Sequence, residues 1–395
     1  MTRLLRQTNL VDVASGVIKE KVNIFVEGDT ITEISSSENA TGLNERDVID
    51  LEGAFLVPGL IDLHTHLIWS AGSDPVGTVE EEGIQVSLLR AAFNARQTLE
   101  AGITTVRDLG SNENTSISLS RAIERGYVTG PRVIPSGCTI IMTGGHDPFW
   151  GKQVDGETEV LKAVREQIML GAKVIKVSAT GGVYGRLEGE DVGMAELTYE
   201  ELKTICDEAH RFGLKVAAHS ISEEGIWNCI RAGIDTIEHG HFLTDDAMEQ
   251  MIERAIFWVP TLYVYKQIAT GEGLPMYAIE KARKIVDIHR AAFRKGLELR
   301  VPLACGSDAG SPNTPHTSLL NEMDYMVECG CMPSVALKAA TYMAAKALGM
   351  EESIGSLEVG KKADLLAVSK NPLEDISILR NVILVVKGGR TVKDV

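Results

Sequence analysis

The hydrophobic pattern divides the chain into two β-rich ends and a long middle in which short apolar runs alternate with helical patterns. Near the N-terminus, residues 22–29 read as a strand that runs into a Gly28-Asp29 turn. Near the C-terminus, residues 363–368 and 382–386 predict strands, and residues 387–390 predict a hairpin turn. We therefore expect one small β-sandwich domain that is assembled from both ends, residues 1–57 and 353–395.

The middle of the chain, residues 58–352, is expected to form a second domain. Its short apolar runs predict eight strands, at residues 60–63, 103–106, 133–135, 174–177, 214–218, 236–237, 257–261 and 303–305. Helical patterns such as residues 200–211 and 222–232 separate them, and Gly102, Gly171 and Gly233 stand where helices would end. Eight βα units predict the α/β class and a closed (β/α)8 TIM barrel. An open doubly wound sheet is the alternative, but it would need a glycine-rich phosphate loop, which the sequence lacks after its first strand.

Composition narrows the range of partners. The formal net charge of −16 argues against nucleic acid or an anionic membrane surface, because both require basic patches. No run of 18 apolar residues predicts a membrane span and no signal-peptide pattern follows Met1, so we expect a cytoplasmic protein. The six cysteines form no CxxC pair and are expected to be reduced core residues, with a metal pair at Cys329 and Cys331 as the less favoured alternative.

The first predicted barrel strand ends in the pattern His64-Thr65-His66. Side chains two positions apart on a strand point to the same side, so both imidazoles, together with Asp62, would face the mouth of the barrel. Two imidazoles at this spacing can bind one metal ion. The alternative, two ordinary polar residues at a strand end, is weakened by what the other strands carry.

Further ligand-type residues end later predicted strands. His219 and His239 end two consecutive strands, and Asp308 follows the last one. A single histidine is more often structural than a ligand, but residues of this kind at the same end of several barrel strands favour a metal site.

Lys176 lies inside a strand that is expected to be buried on both faces. An unpaired buried ammonium group is costly, so either a carboxylate pairs with it or the lysine reacts with CO₂. Burial favours the neutral amine, which is the reactive form, and the resulting carbamate would offer two anionic oxygens to metal ions.

Taken together, these residues resemble the amidohydrolase superfamily, in its subtype with two metal ions and a carboxylated lysine. That pattern places HxH after strand one, Lys after strand four, His after strands five and six, and Asp after strand eight, which this chain matches with His64, His66, Lys176, His219, His239 and Asp308. Flanking segments are similar to the branch that contains Xaa-Pro dipeptidases (prolidases) and imidazolonepropionase-like enzymes. They are residues 57–62, 102–108, 143–146, 179–182, 237–240 and 360–365.

The resemblance implies two divalent metal ions, with Zn²⁺ as the first choice, and an N6-carboxylated Lys176 that bridges them. One ion would be held by His64, His66 and Asp308, and the other by His219 and His239. A hydroxide between the ions would attack a peptide-like amide bond, with Asp308 as general base and then general acid. His146, in a glycine-flanked loop after the third strand, would polarise the carbonyl and stabilise the oxyanion.

The expected substrate is a small molecule or dipeptide, of the Xaa-Pro or Xaa-Arg/Lys type, or an N-acyl amino acid. Tyr184, Arg186 and Tyr263 follow barrel strands and are candidates for substrate contacts. Ile221 stands where family dipeptidases often have Tyr or His, and Thr317 replaces the glycine of a Pro-His-Gly segment, so specificity for proline is open.

Other functions stay open on the same metal centre. A cyclic amide or imidazolone hydrolase, or a lactonase, is the alternative to the amidase, whereas the deaminase branches generally lack the bridging lysine. A non-catalytic scaffold would have lost a ligand residue, and all six are present. We also expect a homo-oligomer.

Overall fold

Strands from the N-terminal end open the fold, in a computed structural model that describes residues 2–36, 47–185, 190–271 and 273–394. They are β1 (Thr2–Asp12), β2 (Val17–Glu27), β3 (Thr30–Ser35), β4 (Val48–Asp50) and β5 (Phe55–Pro58). β1 pairs antiparallel with β2 and parallel with β4 and β5. The chain leaves this sheet at Gly59, between β5 and the first strand of the barrel.

The middle of the chain forms the barrel. Its strands are β6 (Leu60–Thr65), β7 (Ile103–Asp108), β8 (Arg132–Pro135), β9 (Thr139–Ile141), β10 (Gly151–Gln153), β11 (Val174–Ser178), β12 (Lys215–Ser220), β13 (Thr236–His239) and β14 (Phe257–Val259). Parallel pairing links β6, β7 and β8 in one group and β9, β11, β12, β13 and β14 in another.

The last barrel segment differs from the regular strand that the sequence predicts at residues 303–305. Residues 303–309, which we call the closing segment, form isolated parallel bridges at each end, Leu303 with Trp258 and Ala309 with Thr65. The main-chain N–H of Leu63 donates to the carbonyl oxygen of Cys305 (3.1 Å), and that of Asp308 donates to the carbonyl oxygen of His64 (2.8 Å). The barrel therefore closes through single hydrogen bonds, since this segment brings its backbone up to β6 without a continuous ladder.

Helices surround the strands, and those predicted at residues 200–211 and 222–232 are among them. They are α1 (Pro75–Glu100), α2 (Thr115–Glu124), α3 (Gly156–Leu170), α4 (Tyr199–Arg211), α5 (Glu223–Ala232), α6 (Asp245–Glu253), α7 (Leu262–Thr270), α8 (Met276–Leu299), α9 (Leu319–Glu328), α10 (Pro333–Ala339) and α11 (Tyr342–Leu348). Ser222 caps α5 by accepting from the N–H of Gly225, and Gly233 ends it in the left-handed conformation (φ 91°). In the described ranges, no helix combines the length and apolar character needed to cross a membrane.

The C-terminal strands β15 (Leu365–Val368), β16 (Val382–Lys387) and β17 (Arg390–Asp394) complete the terminal sheet. Within the described residues its order is β17-β16-β15-β5-β1-β2-β3, with β4 on β1, and β15 joins the two ends by pairing antiparallel with β5. A backbone hydrogen bond also joins the two ends of the chain, from the N–H of Ile31 in β3 to the carbonyl oxygen of Lys361 (2.9 Å). Buried side chains from both ends of the chain pack into one apolar cluster, which includes Ile24, Ile31, Leu365 and Leu384. The (β/α)8 barrel and the β domain from both termini are thus present, while the exact domain boundaries stay a prediction.

Candidate active site

A cavity at the carboxyl ends of the barrel strands brings together the residues that the sequence indicated as metal ligands. Its lining includes His64 at the end of β6, His66 just beyond it, Lys176 in β11, His219 in β12, His239 at the end of β13 and Asp308 in the closing segment. The carboxyl ends of parallel barrel strands all open on one face, which is why residues so distant in sequence meet.

Two of the histidines turn a ring nitrogen towards Asp308. Nε2 of His66 lies 3.3 Å, and Nε2 of His64 3.8 Å, from Oδ1 of Asp308. His239 joins them, because one ligand-type atom from each of His64, His239 and Asp308 lies within 4.8 Å of the others. The hydroxyl of Ser311 donates to Oδ1 of Asp308 (2.8 Å) and orients the carboxylate. Imidazole and carboxylate atoms that converge in this way fit a divalent metal ion.

Hydrogen bonds behind the rings fix how the histidines face the cavity. Nδ1 of His66 lies 3.2 Å from a backbone carbonyl oxygen, and Nδ1 of His239 lies 2.7 Å from Oγ1 of Thr261. Nε2 of His219 lies 3.2 Å from another carbonyl oxygen, which leaves Nδ1 of this residue for the cavity. Such partners behind the ligands orient metal-binding imidazoles and fix their tautomers.

Glu238 contacts one of the ligand-type histidines, although the sequence motif that contains it indicated no role. Its carboxylate is fully buried, with Oε2 2.9 Å from Nδ1 of His64 and Oε1 accepting from Nη2 of Arg107 (2.7 Å) and from Thr236. Burial opposes the charge, but Arg107 and His64 outweigh it and lower the pKa of Glu238 to about 2. A charged residue within a buried strand was the available sequence signal, as it was for Lys176.

The side chain of Lys176 is buried in the lining of the cavity. Burial lowers the pKa of the Lys176 amine, against the opposing effect of Glu238 and Asp147. No carboxylate of a described residue lies within ion-pair distance of this amine, so a paired lysine, the alternative that the sequence left open, is not what the described residues form.

His146 lies in the cavity, but carboxylates occupy both of its ring nitrogens. Nδ1 contacts Oε1 of Glu190, and Nε2 lies 3.3 Å from Oδ1 of Asp147. Burial opposes the positive charge, but Asp147 and Glu190 outweigh it and raise the pKa of His146 to about 9. His146 is therefore cationic at neutral pH, and its N–H groups are directed at protein carboxylates rather than at open space.

Of the three candidates for substrate contacts, Tyr184 lines the cavity and its hydroxyl donates to Oδ1 of Asp74 (3.1 Å). Arg186 lies outside the described residues. Tyr263 is not part of the lining, but Tyr265 is, so α7 contributes Tyr265 to the cavity in place of the expected Tyr263. Thr261 precedes α7 in the left-handed conformation (φ 50°), and the helix that follows brings Tyr265 to the cavity, whereas Tyr263 packs against the barrel core.

Aromatic rings form one wall of the cavity. Trp69 and Trp150 stack with their ring centroids 4.0 Å apart, and the ring of His66 stacks on Trp150 at 4.5 Å. Phe149 packs against both indoles. This wall has no periodic pattern in the sequence, because its members come from separate loops. It gives the cavity an apolar surface beside the ligand-type residues.

The remaining histidines have structural surroundings. His241 and His289 are buried and stack at 3.8 Å, and Nε2 of His316 donates to the carbonyl oxygen of Trp69 (2.9 Å). His210 pairs with Asp235 at 2.7 Å near the surface. Ile221 is fully buried in an apolar cluster and is not part of the cavity lining.

Comparison with protein families supplies the deciding observation, since the model of the amidohydrolase family matches residues 55–392. The chain belongs to the amidohydrolase family. The amidohydrolase domain thus spans the barrel and the C-terminal strands, which confirms the expected fold, and the protein is a hydrolase that acts on C–N bonds. Members of the family generally use divalent metal ions, and the donor set of the cavity fits such ions.

Similar amidohydrolases indicate the branch. Ochratoxinase from Aspergillus niger is 34% identical over 374 residues, which cover 86% of this chain and 75% of that protein. A Xaa-Pro dipeptidase, whose crystal structure has methionine bound in the active site, is 34% identical in sequence to this chain. The two structures match with a TM-score of 0.90 over 99% of each chain. Imidazolonepropionase from Geobacillus thermodenitrificans is 24% identical over 433 residues, which cover 96% of this chain and 94% of that protein. The expected resemblance to prolidases and imidazolonepropionases is confirmed.

Proposed function

We propose that this amidohydrolase cleaves the peptide-like amide bond of a dipeptide or an N-acyl amino acid. The observation that carries the proposal is a single cavity in which six ligand-type residues lie beside an apolar aromatic wall. The ligand-type residues provide for the chemistry, and the wall suits an apolar part of the substrate. Similarity to a Xaa-Pro dipeptidase and to ochratoxinase supports the choice of an amide.

In this proposal His64, His66 and Asp308 hold one divalent ion, for which Zn²⁺ is the first choice, and His219 and His239 hold a second. Divalent ions bound there would supply Lewis acidity and a nucleophile from water at neutral pH. Asp308, which Ser311 orients, takes up a proton from water and returns it to the leaving amine. His146 contributes positive charge near the reacting carbonyl.

The proposal includes carboxylation of Lys176. The neutral amine adds to CO₂, so that an N–C bond forms and one proton leaves to solvent. This converts a buried amine without an ion-pair partner among the described residues into an anion that lies among histidines. The product would bring a carboxylate to a site whose other donors are mainly imidazoles, and carboxylates and imidazoles together suit two divalent ions.

A hydrolysis screen tests the function. The panel consists of Xaa-Pro, Xaa-Arg/Lys and N-acyl amino acids, with lactones and imidazolone as counter-substrates. We expect the enzyme to hydrolyse amide substrates of the panel and to prefer those with apolar residues. Turnover of the counter-substrates alone would replace the proposal by the ring-opening alternative.

Metal content tests the centre independently of the substrate. We expect purified protein to hold up to two divalent ions per chain, and Lys176→Ala to lose both metal and activity. Lys173→Ala, next to the start of the same strand, is the matched control. A Lys176→Ala variant that keeps the metal content and activity of the wild type would disprove the role of this lysine.

A further inference from the structure

Tyr265 reaches the cavity from α7, and the sequence analysis gave it no role. Its ring is buried and stands edge-on against His239 (centroids 5.5 Å apart, interplanar angle 83°) and against His241 (4.1 Å, 86°). Its hydroxyl has no hydrogen-bond partner among the described residues. Unlike the fully buried polar atoms that lack a partner, this hydroxyl is accessible. The O–H group is therefore left free to meet a molecule in the cavity.

The position of Tyr265 is fixed from two directions. At the start of α7, the two carboxylate oxygens of Glu322 accept the N–H groups of Leu262 (2.8 Å) and Tyr263 (2.7 Å), which anchors the first turn of the helix. Thr261, the residue just before α7, binds Nδ1 of His239, and Tyr265 is the fourth residue of the helix that follows. The geometry that holds His239 thus also sets Tyr265 beside it.

Other polar groups in the lining are already engaged. The ring nitrogens of His146 face Glu190 and Asp147, and the hydroxyl of Tyr184 donates to Asp74. The hydroxyl of Ser311 donates to Asp308, and the indole N–H of Trp150 is sealed from solvent. During amide hydrolysis negative charge develops on the carbonyl oxygen as the carbon becomes tetrahedral, and a hydrogen-bond donor placed there would add to the Lewis acidity of divalent ions.

We propose that Tyr265 is a catalytic residue whose hydroxyl donates a hydrogen bond to the carbonyl oxygen of the scissile amide. The inference rests on the proposed function. Tyr265 keeps its proton throughout, and the hydrogen bond becomes stronger as charge accumulates on the oxygen. The resemblance implied this role for His146, but carboxylates hold the N–H groups of His146, so the role passes to α7.

The test compares Tyr265→Phe with Tyr263→Phe. Both remove one hydroxyl from the same helix, but only Tyr265 lines the cavity. With the best amide from the screen, we expect Tyr265→Phe to lower kcat by about 10²–10³-fold, as removal of one oxyanion donor does. We expect KM, metal content and melting temperature to stay near those of the wild type, and Tyr263→Phe to match the wild type throughout.

A binding measurement separates catalysis from structure. A phosphonate analogue of that amide presents a tetrahedral anionic oxygen, so Tyr265→Phe should weaken its binding far more than it weakens binding of the substrate. Undiminished kcat in Tyr265→Phe, or equal loss of affinity for analogue and substrate, would overturn the role of Tyr265 alone. A wild type that hydrolyses no amide would overturn this role together with the proposed function.

Discussion

Glu238 links the floor of the cavity to a histidine that faces the metal-ligand cluster. One carboxylate oxygen binds His64 and the other binds Arg107, whose Nε also donates to the carbonyl oxygen of Leu63 (2.6 Å). A charge pair this deeply buried is costly unless its polar atoms are hydrogen-bonded, and here each side-chain nitrogen of Arg107 and each carboxylate oxygen of Glu238 has a partner. The arrangement fixes the ring of His64 with Nε2 towards Asp308.

Replacing Glu238 by Gln should weaken metal binding more than it disturbs the barrel. The amide keeps the size of the side chain but supplies only one acceptor oxygen, so His64 or Arg107 loses its partner. We expect metal affinity to fall about 10–100-fold, as for other partners behind metal ligands. Titration against a competing chelator measures it.

Glu223→Gln, on the exposed surface of α5, is the control and should bind metal as the wild type does. Unchanged metal affinity in Glu238→Gln would show that the hydrogen bond from His64 does not matter for the site.

Residues differ in how far the sequence alone could reveal them. The six ligand-type residues were predictable, because each lies in or just after an apolar strand and barrel strands open on one face. The partners were not, since Glu238 pairs with residues 131 and 174 positions away. Tyr265 was missed in favour of Tyr263 because the start of α7 at Leu262 decides which face turns inward, and a sequence pattern places helix ends only approximately.

At the scale of elements, the closing segment departs from the sequence-based prediction, which expected a regular strand at residues 303–305. It runs beside β6 and β14 but forms isolated bridges, and it has Pro302, which lacks an N–H group, just before it. Gly306 makes close approach possible here. A Cβ at Gly306 would lie 2.6 Å from Cγ1 of Val259 and 2.9 Å from the backbone nitrogen of His64.

Gly306→Ala should therefore damage both the barrel and the metal site. The added methyl has no space, and overpacking of this kind costs about 1–3 kcal/mol. Because the clash involves the backbone of His64, we expect a lower melting temperature together with weaker metal binding. Differential scanning calorimetry and metal titration measure the two effects.

Gly193→Ala is the matched control, since its nearest atom beyond the neighbours would lie 3.4 Å from the new Cβ. If Gly306→Ala behaves like Gly193→Ala in both measurements, β6 and the closing segment are not as tightly packed as the geometry indicates.

At the scale of the whole molecule, the terminal sheet packs against the barrel in one apolar cluster, and polar contacts around β8 add to this packing. Arg132 forms an ion pair with Asp364 (2.8 Å), and Nζ of Lys387 donates to the carbonyl oxygen of Gly130 (2.7 Å). Both ends of the chain contribute to the sheet, so its assembly requires the barrel between them to bring the ends together. The alternating sequence patterns predict the individual strands. The pairing of β5 with β15, however, depends on the barrel bringing the two ends of the chain together.

Lys387 makes the stability of this junction dependent on pH. Burial, assisted by Arg132, lowers the pKa of Lys387 from 10.5 to about 8 in the folded protein. Between these values the unfolded chain binds the proton and the folded chain does not, so the free energy of unfolding rises with pH. Above the unfolded pKa the contribution is fully present, and it is lost as the pH falls through about 8.

Lys387→Met should abolish this dependence, because methionine has a side chain of similar length and no proton to exchange. We expect the stability difference between wild type and variant to shift in favour of the wild type from pH 8 to 10.5, measured by chemical unfolding at each pH. Lys370→Met, at an exposed position, removes the same charge outside the junction and should show no such shift. All other titrating groups are common to wild type and variants, so their effects cancel in the difference. A parallel pH profile for wild type and Lys387→Met would mean that the Lys387 amine remains hydrated and that the junction does not desolvate it.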